Sequence, residues 1–458
     1  MLRRNFFKSG SIFLGSSLAF PNILTHKDLN SRLNIALIGV GGRGIQNWQP
    51  IINSENIVAM CDVDDRWASK ALKRVKESHT NVRRFKDYRV MFDKMQNLID
   101  AVIISTPDHT HFHAAITAME LGIHVCIEKP LAHNVWQCRT LKKAANHYGI
   151  VSQMANQGHT TNGIRQVKEW YEAGILGEVR EIHAWFGEFN FKPGHWWDKP
   201  SEFPPNKQAI PKTLDWDLWL GPANNRNYNK VYVPKSWRGF FDFGNGQLGD
   251  WSCHTLDAPF WALNLGMPTS VFGHVPNPRT QENFVADKST VEFNFPANND
   301  RKSVKLKWYE GGFKPNFGKD FPLKNVPNLG MVMIGSKKSL ITGGRPNNPR
   351  LIVSEEEWNE FKKNPPKQTI PRLKSGDETP VQEWIDGIKN NFLPESNFNY
   401  SAELTEMALI GVLSQRFGGK IDYDAEKMQI INRPELNNFL REEARDGWEV
   451  SNFYNSLK

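Results

Sequence analysis

Two short stretches of this chain carry side chains suited to moving protons and charge. In HVCIEKPL, residues 124–131, an apolar run with the composition of a buried strand ends in Glu128, Lys129 and Pro130. A carboxylate and an ammonium at the tip of an interior strand are placed to meet something beyond the sheet. In GNGQLGDWSCHTLDAPFWALNLG, Asp250 and His254 stand four residues apart. A helix over this stretch puts both on one face, with Asp257 and Trp261 close behind. Gly244, Gly246 and Gly249 lead into that helix and leave its first turn approachable. A histidine, whose ordinary pKa is near neutrality, is the natural acceptor for a hydroxyl proton, and an aspartate can orient it. An ammonium can hydrogen-bond the reacting oxygen and stabilise the negative charge that develops there. A structural His–Asp pair is the competing reading of the same spacing.

The elements that must position these groups begin with LNIALIGVGGRGIQNW. Asn34 to Ile38 form an apolar strand, followed by Gly39, Gly41 and Gly44 in a G-x-G-x-x-G pattern, with Gly42 and Arg43 inside the loop. Such glycines allow a tight turn and let backbone N–H groups approach a diphosphate. A second apolar run, NIVAMCD, ends at Asp62, where a carboxylate can accept hydrogen bonds from an adenosine ribose. That favours NAD; Arg43 could instead attract a 2′-phosphate, which keeps NADP open. Strand and helix then alternate through IDAVIIST, TPDHTHFHAAITAMELG, HVCIEKP and a helix from Val135 to His147. Alternation of this kind predicts right-handed crossovers, a parallel sheet, and ligands beyond the carboxyl ends of the strands.

Glu128 and Lys129 then lie at the ligand edge, and Thr106 and Pro107 make a strand-to-helix turn beside the cofactor. His109, His111 and His113 invite a metal, but their spacing spreads the side chains around a helix, so no metal site is expected. Contacts from His109 and His111 to the cofactor, or structural roles, are the remaining readings. Asn156, Gln157 and His159 follow the strand VSQMA and reach the same edge as substrate contacts. Trp196, Trp197, Trp237 and Arg238 fall in loops, where stacking and hydroxyl hydrogen bonds suit a pyranose; core packing is the alternative for each tryptophan.

A chain of 458 residues exceeds what one hydrophobic core usually organises, which predicts more than one domain. Residues 1–31 read as an export signal and linker, 32–155 as a Rossmann domain, and 156–458 as a substrate and oligomerisation domain whose C-terminal segment packs back on the first. From GEVREIHAWFGEF onward, short strands alternate with Pro- and Asn-rich loops, the pattern of a large, mostly antiparallel open sheet. The fold class is therefore α/β, a doubly wound parallel sheet plus a second α/β domain. The net charge of +8 is spread among acids rather than gathered in a block, which argues against nucleic acid as a partner. Four cysteines show neither C-x-x-C nor metal-ligand spacing, and Cys61 and Cys126 read as buried thiols. MLRRNFFKSGSIFLGSSLAFPN pairs Arg3 and Arg4 with an apolar stretch too short to span a bilayer. It resembles a twin-arginine signal, implying a periplasmic or otherwise exported protein, with a disordered basic tail as the alternative.

In order along the chain, the strand-borne GVGGRG, the TPDHTH turn, the E-K-P tip and the D-x-x-x-H helix resemble the Gfo/Idh/MocA oxidoreductases, named for glucose-fructose oxidoreductase and inositol dehydrogenase. The resemblance implies Lys129 as the catalytic lysine beside the nicotinamide, Asp250 and His254 as the catalytic acid and histidine, and a cis bond before Pro130. It also implies an open sheet often used to assemble homo-oligomers. NQGHTTNGIRQVKEW and the region around RDGW are similar to an exported bacterial branch of sugar-active members. The implied activity is NAD(P)-dependent oxidation or reduction of a secondary hydroxyl on a sugar, polyol or glycoside. Free NAD is scarce outside the cytoplasm, so an exported enzyme is expected to retain it tightly and regenerate it with a second carbonyl substrate or by reversal. Two alternatives stand beside this reading. A branch of the same superfamily cleaves glycosides through transient NAD-dependent oxidation at C3, and a nucleotide-binding sensor needs no turnover at all.

Overall fold

Short, mostly apolar runs form the parallel sheet of the first domain. The computed structural model describes residues 32–188, 196–323, 325–373 and 380–456; the paired arginines Arg3 and Arg4 and the apolar stretch after them, read above as an export signal, lie outside the described residues. Strands β1 (Asn34–Ile38), β2 (Asn56–Cys61), β3 (Arg83–Phe85), β4 (Ala101–Ile104), β5 (His124–Glu128) and β6 (Ser152–Ala155) pair in the order β3-β2-β1-β4-β5-β6, all parallel. Helices α1 (Arg43–Trp48), α2 (Asp65–Lys76), α3 (Tyr88–Met95), α4 (Asp108–Glu120) and α5 (Val135–His147) make the crossovers. Asp64, Asp87 and Asn134 start α2, α3 and α5 by accepting the backbone N–H of Arg66, Arg89 and Gln137, which satisfies donors the first turn leaves unpaired. Strand order reverses between β1 and β4, so their carboxyl ends flank a crevice.

The second domain continues with α6 (Asn162–Glu172), β7 (Val179–Phe186), α7 (Trp216–Leu220), α8 (Gly246–Thr255), α9 (Asp257–Ala262), β8 (Ser270–His274), β9 (Ser289–Phe295), β10 (Val304–Glu310) and β11 (Leu329–Gly335). It ends with β12 (Leu340–Thr342), β13 (Arg350–Leu351), α10 (Glu355–Lys363), α11 (Pro380–Asn390), α12 (Phe398–Phe417), β14 (Gly419–Asp424) and β15 (Gln429–Ile430). Its nine strands lie in the order β13-β12-β11-β7-β10-β9-β8-β14-β15, antiparallel except for the β7–β10 pair. Alternate residues of β9 are buried, Val291, Phe293 and Phe295 among them, and α12 lies on that face. Buried on most sides, α12 also packs on α5 and α8 and so joins the two sheets.

From the far side, α11 crosses to the first domain, where Val381, Trp384, Ile385 and Ile388 share a core with Ile35, Leu37, Ile57 and Ile103. The Trp384 indole is fully buried and donates to the Val151 carbonyl at 2.9 Å. Trp384→Ala is expected to cost about 3–5 kcal/mol, seen as a lowered denaturation midpoint. Trp48, Trp185 and Trp308 are equally buried, so these indoles build core rather than a sugar platform. All four cysteines are free and buried. Among the described residues, no helix is long and apolar enough to cross a membrane.

Candidate active site

The glycine loop after β1 is shaped by close backbone approach. A Cβ on Gly39 (φ +76°) would stand 2.5 Å from the Ser105 carbonyl oxygen, and one on Gly44 would stand 2.2 Å from the Gly39 oxygen. Gly42 (φ +50°) has no atom within 4 Å of that position, so the outer edge of the loop faces open space, as a diphosphate requires. Gly41 lies against the Trp67 ring. Asp62 accepts Val40 N–H and Asp64 N–H, both at 3.0 Å, which ties the loop to the end of β2; burial raises its pKa against those hydrogen bonds. Thr106 Oγ1 accepts from Thr110 at 2.7 Å, and Pro107 opens α4 beside the Gly39 turn.

Glu128 ties the tip of β5 to this loop. Arg43 Nε donates to its Oε1 at 2.8 Å and Asn47 Nδ2 at 2.9 Å. Burial works to raise the pKa of Glu128, but the Arg43 and Lys129 cations outweigh it and hold the carboxyl below its usual range. Arg43 thereby commits its Nε to Glu128, which weighs against a 2′-phosphate as its partner.

One residue on, across a cis bond to Pro130, Lys129 reaches α8 of the second domain. Its Nζ donates to the Asp250 backbone oxygen at 2.8 Å and pairs with the Asp250 carboxylate. Burial favours a protonated Asp250, yet Lys129 and then Arg238 keep its pKa low. His254, one turn further along α8, is 2 % exposed. Its pKa is pushed well below the ordinary value, first by burial and then by the Lys129 and Arg345 cations, so the imidazole is neutral at pH 7. Nδ1 lies 2.7 Å from the Gln157 carbonyl oxygen. A carbonyl only accepts, so the proton sits on Nδ1 and Nε2 keeps its lone pair. The orienting group is therefore the Gln157 backbone, and Asp250, engaged by Lys129, does not serve that role. An ammonium held by a carboxylate and a neutral imidazole with a free basic nitrogen meet at the carboxyl edge of the parallel sheet.

Family models match in the same places. Residues 33–156 fit the oxidoreductase family with an NAD-binding Rossmann fold, and residues 160–297 fit that family's C-terminal α/β domain. The chain belongs to the Gfo/Idh/MocA oxidoreductase family. Glycosyl hydrolase family 109 protein 2 of Akkermansia muciniphila is 27% identical over 262 residues, 50% of this chain and 53% of that protein. The chain spans between about a quarter and about half the length of the curated relatives it matches. Two solved structures share the fold. The WlbA dehydrogenase of Bordetella pertussis, in complex with NADH and UDP-GlcNAcA, is 16% identical with a TM-score of 0.59 over 86% of this chain and 98% of that one. An inositol dehydrogenase homologue of Azotobacter vinelandii, with NADH and myo-inositol, is 18% identical with a TM-score of 0.56 over 86% and 98%.

Within this Gfo/Idh/MocA frame, several side chains expected at the ligand edge are turned inward. His109 sits between the Trp219 and Phe243 rings with Nε2 on the Trp219 carbonyl at 3.1 Å, and burial pushes its pKa down to about 3. His111 bridges the carbonyls of Thr106 and Pro130, each at 2.9 Å, and so fastens the β4 turn to the E-K-P tip. His111 thus has both ring nitrogens taken, and the Nδ1 that His109 keeps without a partner is buried. Asn156 and His159 have no exposed surface, which removes them as substrate contacts. Both hold Asp257, at 3.0 and 2.9 Å, together with Tyr400 at 2.6 Å. Asp257 leaves the Asp250–His254 face because α8 ends at Thr255 and α9 starts afresh at Asp257. Gln157 acts through its carbonyl, its side chain being buried. Trp197 and Trp237 are 5% exposed, whereas Trp196 is 39% exposed. Arg238 approaches the centre, its Nε 3.7 Å from Asp250 Oδ1. Among the described residues no His, Cys, Asp and Glu cluster could hold a metal. Arg345, which acts on His254, and Asp108, whose buried carboxyl faces Arg238 and Asp250, were not found by sequence reasoning.

Proposed function

We propose that the protein is an NAD-dependent oxidoreductase that interconverts a secondary hydroxyl and a ketone on a sugar, polyol or glycoside. The observation that carries this is the meeting of Lys129 and His254, from different domains, on Asp250 and its helix. Bound nicotinamide supplies hydride transfer; the chain supplies proton handling and position. His254 Nε2 takes the hydroxyl proton during oxidation and returns it during reduction. The Lys129 ammonium hydrogen-bonds the same oxygen and stabilises its alkoxide character. The sugar and polyol ligands of structures sharing the fold support the substrate class.

The reading includes export by the twin-arginine route, supported by Arg3, Arg4 and the apolar stretch after them, and assembly with further copies of the chain across the open sheet. It also includes tight retention of the nucleotide. Support comes from a segment of the second domain laced across the turn after Asp62: Asp65 N–H donates to Thr213 O at 2.8 Å and Asp215 N–H to Val63 O at 2.9 Å.

The likeness to a glycosyl hydrolase family 109 protein favours a second reading, glycoside cleavage through a transient 3-keto sugar with no net change in NAD. One experiment separates them. Purified protein is denatured to measure released dinucleotide, and the native protein is offered free sugars and nitrophenyl glycosides while nicotinamide absorbance and product mass are followed. A keto product with matched NADH formation is the expected result. Nitrophenol release without NADH accumulation selects the second reading, and no hydride exchange with any compound overturns both.

A further inference from the structure

The side chains around Lys129 carry more positive than negative charge. Lys129, Arg238, Arg345 and Arg43 are the cations; the carboxyls facing them are Asp250, Asp108 and Glu128, the last of which is taken by Arg43. Asp250 is taken by Lys129. Asp108, at the start of α4, is 5% exposed and accepts from Asn245 at 3.3 Å, and burial raises its pKa toward the neutral form. Two guanidiniums remain with unused donors.

Arg238 is clamped, its Cζ 4.2 Å from the ring centroids of both Trp196 and Trp237. With two rings against it, the guanidinium hydrogen-bonds through its edges. One edge is used, Nη1 donating to the Lys235 carbonyl at 3.2 Å. The Nε edge points toward the reaction centre, yet at 3.7 Å from Asp250 Oδ1 it makes no hydrogen bond and is buried without an acceptor. Arg345 repeats the situation at the His254 end of α8. Its Nε is buried without an acceptor and its Cζ lies 6.0 Å from the Trp251 ring centroid. The loop that carries it is pinned, because Thr255 Oγ1 donates to Gly344 O at 2.9 Å and a Cβ on Gly163 would stand 2.0 Å from Pro346 O. Buried donors in native sites are normally satisfied; among the described residues Arg84, Arg279 and Arg416 also have a buried Nε without an acceptor, but Arg238 and Arg345 are the two beside the candidate catalytic centre, where a bound ligand can supply one.

We propose that Arg238 reads a carboxylate on the substrate, so that the sugar handled at this site is a uronic acid or its glycoside, with Arg345 as a second cation at the His254 end of α8. The inference rests on the oxidoreductase reading above and narrows its substrate class. A planar fork matches a planar carboxylate through two parallel hydrogen bonds, whereas a neutral hydroxymethyl group leaves the fork partly unpaired.

The test compares methyl glucuronide and methyl galacturonide with methyl glucoside and methyl galactoside on the holoenzyme. The expected kcat/KM favours the acids by about 10- to 100-fold. Arg238→Gln is expected to collapse that ratio toward unity, mainly through KM for the acids, and Arg238→Lys to restore part of it. Tryptophan fluorescence titrated with glucuronate and with glucose reads the same preference without turnover, since Trp196 and Trp237 flank the guanidinium. Equal kcat/KM for acidic and neutral sugars in the wild type, or a ratio unmoved in Arg238→Gln, overturns the carboxylate assignment and leaves the oxidoreductase reading standing. A preference for sugar 6-phosphates over uronides overturns it as well. Uronide binding with no hydride exchange sinks the oxidoreductase reading instead.

Discussion

Lys129→Met is expected to lower kcat by about 10²- to 10⁴-fold while the protein still binds dinucleotide. The nucleotide cradle we propose consists of the glycine loop, Asp62 and the Arg43–Glu128 pair, none of which uses the ammonium as its only partner. What the substitution removes is the one cation that joins the tip of β5 to α8, through the Asp250 carbonyl at 2.8 Å and the Asp250 carboxylate. Methionine keeps the volume and loses the charge. Asp250 is then a half-buried carboxylate with only the more distant Arg238 to face it, at a cost of about 1–3 kcal/mol. The double variant Lys129→Met/Asp250→Asn separates the two roles. Removing both charges should return much of the lost stability, read by denaturant midpoint, without returning turnover. Recovery of turnover in the double variant, or undiminished turnover in the single one, would show that the pair is structural.

The groups proposed to do chemistry were legible because each stands at an element boundary that local signals fix. Glycines mark the turn after β1, an apolar run stops at Glu128 and Lys129, and i, i+4 spacing sets Asp250 beside His254. The parallel and mostly antiparallel sheets were legible for the same reason, since strand periodicity is a local property. What positions the chemistry was not. His254 is oriented by a backbone carbonyl, and a carbonyl has no signature in a sequence. Asp257 continues the helical spacing of Asp250 and His254, yet one non-helical residue, Leu256, separates α8 from α9 and turns Asp257 to His159. His109 looks like a polar helix start until Trp219 and Phe243, from the second domain, close over it. Arg345 arrives on a loop seated by Gly158 and Gly163, whose missing side chains make room for Arg345 and Pro346. Each of these depends on long-range packing, which one sequence does not display.

His254→Asn tests the proton acceptor itself. Asparagine can place a side-chain amide N–H near the position of Nδ1 and keep the hydrogen bond to the Gln157 carbonyl, while offering nothing in place of Nε2. Alcohol oxidation should therefore fall by about 10²- to 10⁴-fold with little change in denaturation midpoint. The pH profile gives the sign. A base works in its neutral form, so oxidation by the wild type should fail only as pH drops through the His254 pKa, which burial and the Lys129 and Arg345 cations hold well below 6.5. Activity at pH 6.5 should thus remain close to its plateau, and the acid limb should lie clearly lower. In Arg345→Gln one of the two cations is gone, protonation of the imidazole becomes easier, and the limb should move toward higher pH. In His254→Asn the limb should vanish from whatever activity is left. An acid limb at the ordinary histidine value, unmoved by Arg345→Gln and still present in His254→Asn, would assign the proton to another group.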